Sequence, residues 1–433
     1  MTPERLLDIA LERSSADQTE AAIYIGKSAL TRFANSTIHQ NMVFESQSLR
    51  VRAVFGKKVA SGSTNRLDES GVVELVGRVV EMARLQDPNE DFVSLPKPAN
   101  PIKDADGFRQ STADSTPEQR ANQIRALVSE SDKIGGSAAG SFTVQAGQRF
   151  VKNTLGVDSS AIGTYSNLLT VITGPDGGFG YAASTSGDVT DIDGRQIGAQ
   201  AAKLAHDSAN PIGIEPGEYE CILMPYAVSD MINMLVWMSF GAFEYQEGRS
   251  WACGKLGQKV VSDCISLWDD GLDSRTIVDS FDSEGIAKQR VDLLKNGVAN
   301  AILYDSYTAH REGRQSTGHA PRGRAGNLIM EPGDAGIEDM IASTKRGILV
   351  TRFHYTNIAH QMTASFTGMT RDGTFLIEDG KIIRPVKNMR FTQSIPEALA
   401  GAQMVGRELK LEEGVLAPAL KLGKFSFSSA TQF

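Results

Sequence analysis

The chain has 433 residues, with 41% hydrophobic, 22% charged and 7% aromatic side chains. That is ordinary globular composition, enough for roughly two to four folding units and a core that needs no disulfide or metal staple. Lys and Arg number 44 against 52 Asp and Glu, a net charge of -8, and basic clusters do not exceed short pairs such as Lys57-Lys58, which argues against the basic stripe of a nucleic-acid binder.

Residues 1–90 read as an α+β unit. Leu6, Leu7, Ile9 and Ala10 stand at helical spacing, and Ala21–Ile25 and Leu49–Val54 read as strands. Gly56-Lys57-Lys58 turns the chain into a further strand at Val59–Gly62. Asp68 then caps a helix whose Val72, Leu75, Val76, Val79 and Val80 form an apolar stripe, packed against the sheet. Residues 91–116 are a proline-rich linker, with prolines at 96, 98 and 101. Residues 117–215 begin with a helix signalled by Thr116 as N-cap, Pro117 in the first position and Gln119 completing a capping box. Strands follow at Gly136–Gln145, Gln148–Asn153, Val157–Tyr165 and Leu168–Thr173, then a helix at Ile197–Ala205. Residues 216–433 open with a strand at Tyr219–Met224 and an apolar helix at Ala227–Phe243. Thereafter strands dominate, with turns at Asp269-Asp270-Gly271, Asn296-Gly297, Arg371-Asp372-Gly373 and Asp379-Gly380.

Met1–Leu7 leads directly into a helix pattern and lacks the basic start and apolar run of a signal peptide, and no stretch is apolar enough to span a membrane. The three cysteines, Cys221, Cys253 and Cys264, are odd in number and form no CxxC pair. These features suggest a reducing, cytoplasmic compartment.

Local motifs for chemistry are sparse. Gly178-Phe179-Gly180-Tyr181-Ala182-Ala183 fits a loosened dinucleotide fingerprint, but Ser184-Thr185-Ser186-Gly187 follows where a helix is required. Neither a phosphate-cradling loop nor a nucleophile elbow is present. The six histidines, at 39, 206, 310, 319, 354 and 360, form no HExxH. Asp269-Asp270 and Asp282-Ser283-Glu284 pair carboxylates, yet Asp and Gly make turns, and solvated turns are the simpler reading. Cys253 and Cys264 have no adjacent histidine to activate them. The loop Ser316-Thr317-Gly318-His319 can present backbone N–H groups and an imidazole to a ligand, or can satisfy its own backbone as a turn.

Taken in order, Phe281-Asp282-Ser283-Glu284-Gly285, Gln289-Arg290, Asn296-Gly297, Ser316-Thr317-Gly318-His319-Ala320 and Gly347-Ile348-Leu349-Val350-Thr351 resemble the core signature of the TldD/PmbA family. The resemblance continues through Thr367-Gly368, Phe375–Ile382 and Pro385-Val386-Lys387, with earlier agreement at Arg32–Ser36. It implies an α+β fold of TldD/PmbA type, with N-terminal blocks of helices on antiparallel sheet and a β-rich C-terminal domain.

The resemblance also implies a choice of role. TldD-like members are metallopeptidases with an HExxxH zinc motif on the central helix and a cysteine ligand near the C-terminus; PmbA members, also called TldE, pair with them and lack these ligands. Here the matching helix contains no histidine, and no cysteine follows Cys264. The expectation is therefore a metal-free TldE/PmbA-like subunit, without catalytic or metal-binding residues of its own, zinc being confined to a TldD-like partner. Its partners would be that subunit or a second copy, and unfolded or unstructured peptide, with no nucleic acid and no membrane. Ser316, Thr317, Gly318 and His319 are the candidate peptide contact. Two other readings stand beside it: a self-sufficient homodimeric hydrolase using the acidic pairs or His319, and a protein-binding regulator of the gyrase-modulator type.

Overall fold

Helix α1 (Pro3–Arg13) starts at Thr2, whose side chain accepts from the Arg5 N–H, and it buries Leu6, Leu7, Ile9 and Ala10 in the computed structural model, which describes residues 1–102 and 105–430. Strands β1 (Gln18–Ala34), β2 (Thr37–Phe55) and β3 (Lys58–Thr64) follow, then α2 (Glu69–Leu85), capped by the Asp68 carboxylate on the Gly71 N–H. After the short α3 (Gln110–Ala113) comes α4 (Pro117–Lys133), where Thr116 and Gln119 form the expected capping box. Strands β4 (Ser137–Asn153), β5 (Asp158–Thr173) and β6 (Phe179–Ser186) lead into α5 (Gly194–Asp207).

The six strands form one antiparallel sheet in the order β3-β2-β1-β4-β5-β6. The blocks 1–90 and 117–215 thus share a sheet, since β1 pairs with β4 from Glu20–Asn153 to Phe33–Gly140. The strands are also longer than the sequence suggests: β4 and β5 each run unbroken where two strands were expected. The reason is that the sheet carries two separate cores. At one end α1 and α2 cover Ala21, Ile23, Leu49 and Val51; at the other α4 and α5 cover Phe33, Phe142, Leu168 and Ile172. Between them Gly26, Gly147 and Gly163 stand in register across three strands. The Tyr24 ring lies over Gly26 and Gly147, and a Cβ on Gly26 would meet its hydroxyl at 2.3 Å. The apolar pattern lapses there while the backbone ladder continues.

In the C-terminal half, β7 (Gly217–Leu223) and α6 (Pro225–Ser239) precede α7 (Ala242–Gln246). The expected helix to Phe243 breaks at Gly241, which instead bridges to Leu303. Strands β8 (Leu267–Asp269), β9 (Val291–Lys295) and β10 (Val298–Ala299), helix α8 (Ser306–Arg311), strand β11 (Leu328–Met330) and helix α9 (Ile337–Ala342) come next. The chain ends with β12 (Arg346–His360), β13 (Ser365–Glu378), β14 (Lys381–Pro385), β15 (Met389–Ser394), α10 (Ile395–Ala400), β16 (Ala402–Val405), β17 (Lys410–Glu412), β18 (Val415–Ala417) and β19 (Leu420–Ala430).

One C-terminal sheet runs β10-β9-β8-β11-β18-β17. In the other, β12-β7-β19-β15-β13 closes on itself because β13 pairs back to β12. Phe353, Phe366, Phe391 and Phe425, one from each of β12, β13, β15 and β19, pack within this ring with centroids 4.4 to 6.4 Å apart. Helix α6 shares one core with both sheets, its Met231, Ile232, Leu235 and Met238 buried with Leu267, Leu294, Ile348 and Val350. That explains its nearly all-apolar sequence. Arg371-Asp372-Gly373, expected as a turn, lies inside β13, where φ values of +54° and +118° at Asp372 and Gly373 bend the strand. The architecture is α+β with largely antiparallel sheets.

Candidate functional site

The loop after α8 turns its polar side chains inward. Ser316 Oγ donates to the Tyr304 carbonyl at 3.2 Å and accepts from the Gly318 N–H. Thr317 Oγ1 accepts from the Tyr304 N–H at 2.8 Å and lies 2.9 Å from His319 Nδ1. Gly318 has φ +76°, and a Cβ there would meet the Ala287 carbonyl at 2.4 Å. His319 Nε2 is 2.9 Å from Asp269 Oδ1, both side chains having 0% exposure. Asp269 Oδ2 accepts from the Gly326 and Asn327 N–H groups, each at 2.8 Å. Burial alone would raise the Asp269 pKa, but His319, Lys288 and the Asn327 amide together hold it down to about 2.

The acidic pairs expected as solvated turns are therefore corrected. Asp269, Asp282 and Glu284 are buried. Asp282 accepts from the N–H groups of Glu284, Ile286 and Ala320, while burial and the neighbouring Glu284 charge push it up to about 7. Glu284 stays below its ordinary range against burial because Arg52, 2.9 Å away, and Ser306 favour its charged form. Arg52, on β2, also pairs at 2.6 Å with Glu20 of β1. These carboxylates fasten the loop and join the N-terminal sheet to the C-terminal half. Ser316, Gly318 and His319 are buried and Thr317 half-buried, so the side chains expected to touch a peptide are engaged in the fold.

The open surfaces lie elsewhere. Where the helices leave the N-terminal sheet uncovered, the middles of β4 and β5 face residues 277–280, 326–327 and 414 across a cleft of about 1100 Å³. Gln145, Gln148, Ser160, Tyr165 and Asn327 set neutral polar groups among apolar side chains such as Ile102, Phe150, Ile162 and Val278. At its wall, Asp279 is paired by the Arg149 guanidinium and by the buried Lys288 at 3.1 Å. Beyond residues 324–328 and 413–414 lies a second cavity of about 440 Å³, lined by Asp230, Asn233, Trp237, Glu244, Arg322 and Glu413. Asp230 is the one charged residue of α6. Burial, and then the charge of Glu413, push it up to about 6. Nothing in the sequence reading singled these residues out, although a lone carboxylate in an apolar helix is a usable signal.

The donor set along α6 does not fit zinc. The residues it turns to the second cavity include Asp230, Asn233 and Met234, whereas zinc sites take His, Cys and carboxylate ligands, at least three from the protein. Among the described residues no group of three or more His, Cys, Asp or Glu is placed to hold a metal ion.

Comparison with known proteins gives two matching family models. The PmbA/TldA metallopeptidase C-terminal domain matches residues 216–429, and PmbA/TldA metallopeptidase domain 1 matches residues 19–83. The chain is similar to Methanocaldococcus jannaschii uncharacterized protein MJ0231, 28% identical over 81% of this chain and 82% of that one. It is 22% identical to the metalloprotease PmbA of Escherichia coli O157:H7 over 97% of this chain and 95% of that one. A metalloprotease TldD homolog of Buchnera aphidicola is 29% identical, but over only 39% of this chain and 37% of its own length. In fold, the chain is similar to TldE from Thermococcus kodakarensis, with a TM-score of 0.89, 21% identity and coverage of 98% and 99% of the two chains. It is also similar to a Thermotoga maritima chain described as a candidate modulator of a DNA gyrase, with a TM-score of 0.87, 18% identity and coverage of 98% and 99%.

Proposed function

Because the chain belongs to the PmbA/TldD metallopeptidase family, we propose that it is the metal-free, TldE/PmbA-like subunit of a TldD/TldE-type peptidase, and that it helps enclose and bind unfolded peptides. The observation that carries this reading is the sequence of α6, Pro-Tyr-Ala-Val-Ser-Asp-Met-Ile-Asn-Met-Leu-Val-Trp-Met-Ser, which has neither His nor Cys. Such a helix offers a single carboxylate, Asp230, too little to hold zinc and lower the pKa of its bound water. The partner in this proposal is a TldD-like subunit, which supplies the zinc and the chemistry.

The cleft of about 1100 Å³ is the proposed place for peptide. Neutral polar groups set in a partly apolar lining suit a peptide, whose main chain can use the first and whose side chains the second. The loop Ser316–His319 then acts indirectly, by holding Asn327 and the adjoining backbone through Asp269. The proposed compartment is the cytoplasm, on the ground of three free cysteines; no described helix is long and apolar enough to cross a membrane.

The test is peptidase activity and bound zinc on the purified chain, alone and mixed with a TldD-like subunit. The expected result is no stoichiometric zinc and no turnover of an unstructured peptide alone, with turnover in the mixture. Zinc-dependent turnover by the chain alone would overturn the reading.

A further inference from the structure

On one side of the large cleft, the N-terminal sheet meets the C-terminal half through a buried carboxyl group. Glu412, on β17, is 8% exposed and accepts through Oε1 from the hydroxyl of Tyr181, on β6, at 2.9 Å. Its Oε2 is buried and has no hydrogen-bond partner among the described residues. Two residues further on, Gly414 lines the cleft, and so does Tyr165 of β5. The Tyr226 hydroxyl of α6 makes a second contact on this side, accepting from the Ala183 N–H at 2.8 Å.

The cations nearby are engaged with other groups. Lys410, on the same strand, holds its ammonium over the Tyr226 ring, 4.9 Å from the centroid, and burial keeps its pKa below the ordinary range. Arg352 of β12 lies over the Tyr181 ring at 4.1 Å and is paired with Asp372 of β13, Nε to Oδ2 at 2.6 Å. Glu413 adds a like charge beside Glu412, and Asp230 of α6 lies within the field of Glu413 and Arg352. Tyr165, Tyr181 and Tyr226 stay neutral hydroxyls, because burial raises the pKa of each. Among the described residues Glu412 thus has no ion pair. A buried carboxyl so placed is tolerated when neutral and costly when ionised. That holds its pKa at about 7 in the closed interface, against 4.5 where water reaches it.

We propose that Glu412 is a pH-operated latch on the large cleft: protonated, it holds β17 against β6, and on ionising it releases that side. The proposal rests on the peptide-binding reading above only for what enters the cleft. Because the closed form binds the proton more tightly, the latch is fully effective below pH 4.5 and fails as the pH rises through 7. The opposite tie does not follow it, since Arg52 keeps Glu284 charged below its ordinary range.

The experiment is hydrogen–deuterium exchange of the full chain at pH 5 and pH 8, corrected for the intrinsic pH dependence of amide exchange. Segments 179–186 and 410–417 are expected to lose protection about tenfold or more at pH 8, while residues 348–350 in the C-terminal core keep theirs. Glu412→Gln abolishes the difference and leaves both segments protected at pH 8. Tyr181→Phe lowers their protection already at pH 5. Asp282 also titrates near 7, so the Glu412→Gln result assigns the effect. A difference that persists in Glu412→Gln, or a loss spread evenly over the chain, would overturn the latch. Entry to the cleft is read as the association rate of an acetylated, amidated, unstructured decapeptide without ionisable side chains, whose charge is the same at both pH values. That rate rises with the exchange in the parent and stays constant in Glu412→Gln; a rate that does not follow the exchange would overturn the control of the cleft. Failure of the peptide to bind at all counts against the peptide-binding reading alone, since the exchange measurement needs no peptide.

Discussion

Asp269 and His319 are held face to face without solvent, and each depends on the other to be tolerable there. Without Asp269 the His319 ring nitrogen and the Gly326 and Asn327 N–H groups lose their buried partner, at ~1–3 kcal/mol each and about 3–5 kcal/mol together. Asp269→Ala is expected to lower the unfolding free energy by about that amount in a denaturant titration; a loss below about 1 kcal/mol would show that the pair is not structural. Because the Asp269 pKa is depressed from 3.8 to about 2, its contribution is present above pH 3.8 and disappears as the pH falls toward 2. Glu412 has the opposite sign. It is 8% exposed and accepts from the Tyr181 hydroxyl at 2.9 Å, and burial, with the nearby Glu413 charge, raises it from 4.5 to about 7. Its folded state binds a proton more tightly than its unfolded state, so stability declines as pH rises from 4.5 to 7. Glu412→Gln should flatten that slope and leave the protein more stable than the parent at pH 8. Melting curves at pH 5 and 8 that change in parallel for both proteins would refute this.

At the scale of elements, the signals that could be read in the sequence were local ones. Asp68 and Thr116 announced α2 and α4 because an N-cap is satisfied within three residues of itself. Strand length was not legible, because the row of Gly26, Gly147 and Gly163 looks like a break until the neighbouring strands supply its hydrogen bonds. Nor was the burial of the carboxylates. Asp269 finds His319 50 residues on, and Glu284 finds Arg52 232 residues back, so the same Asp-Gly and Asp-Ser-Glu strings read equally well as solvated turns. The closed ring of β12, β7, β19, β15 and β13 is likewise a matter of distant pairing. Its four phenylalanines make a definite forecast: Phe391, buried at 0% and central to the group, should cost about 3–5 kcal/mol when replaced by alanine. Phe391→Leu should cost visibly less. Equal losses for both would mean that the ring interior relaxes around the cavity.

Across the whole molecule, the N-terminal sheet and the C-terminal half are joined on both sides of the large cleft. Arg52–Glu284 and the Ser159 hydroxyl on the Gly285 carbonyl tie one side, and Tyr181–Glu412 and Tyr226 on Ala183 the other. With the halves fixed, the free edge of the sheet has a fixed place too. Strand β3 covers β2 only from Leu49 to Phe55, so residues 37–48 pair with β1 alone among the described residues. That edge exposes Met42, Val43 and Phe44, at 37%, 51% and 47%. Long apolar edges are ordinarily blunted or covered, because they template pairing with another chain. If the chain is a subunit of a two-chain peptidase, as proposed, the other subunit is the natural cover, and the edge should matter to assembly and not to folding. Val43→Lys places a charge on the edge without disturbing a core, so its melting temperature should match the parent's within the ±0.5 kcal/mol typical of surface changes. In sedimentation velocity it should shift the chain toward monomer, both alone and with a TldD-like partner, and peptide turnover by the mixture should fall in proportion. An unchanged sedimentation profile would place the subunit contact on another surface, and the apolar edge would then need a different explanation.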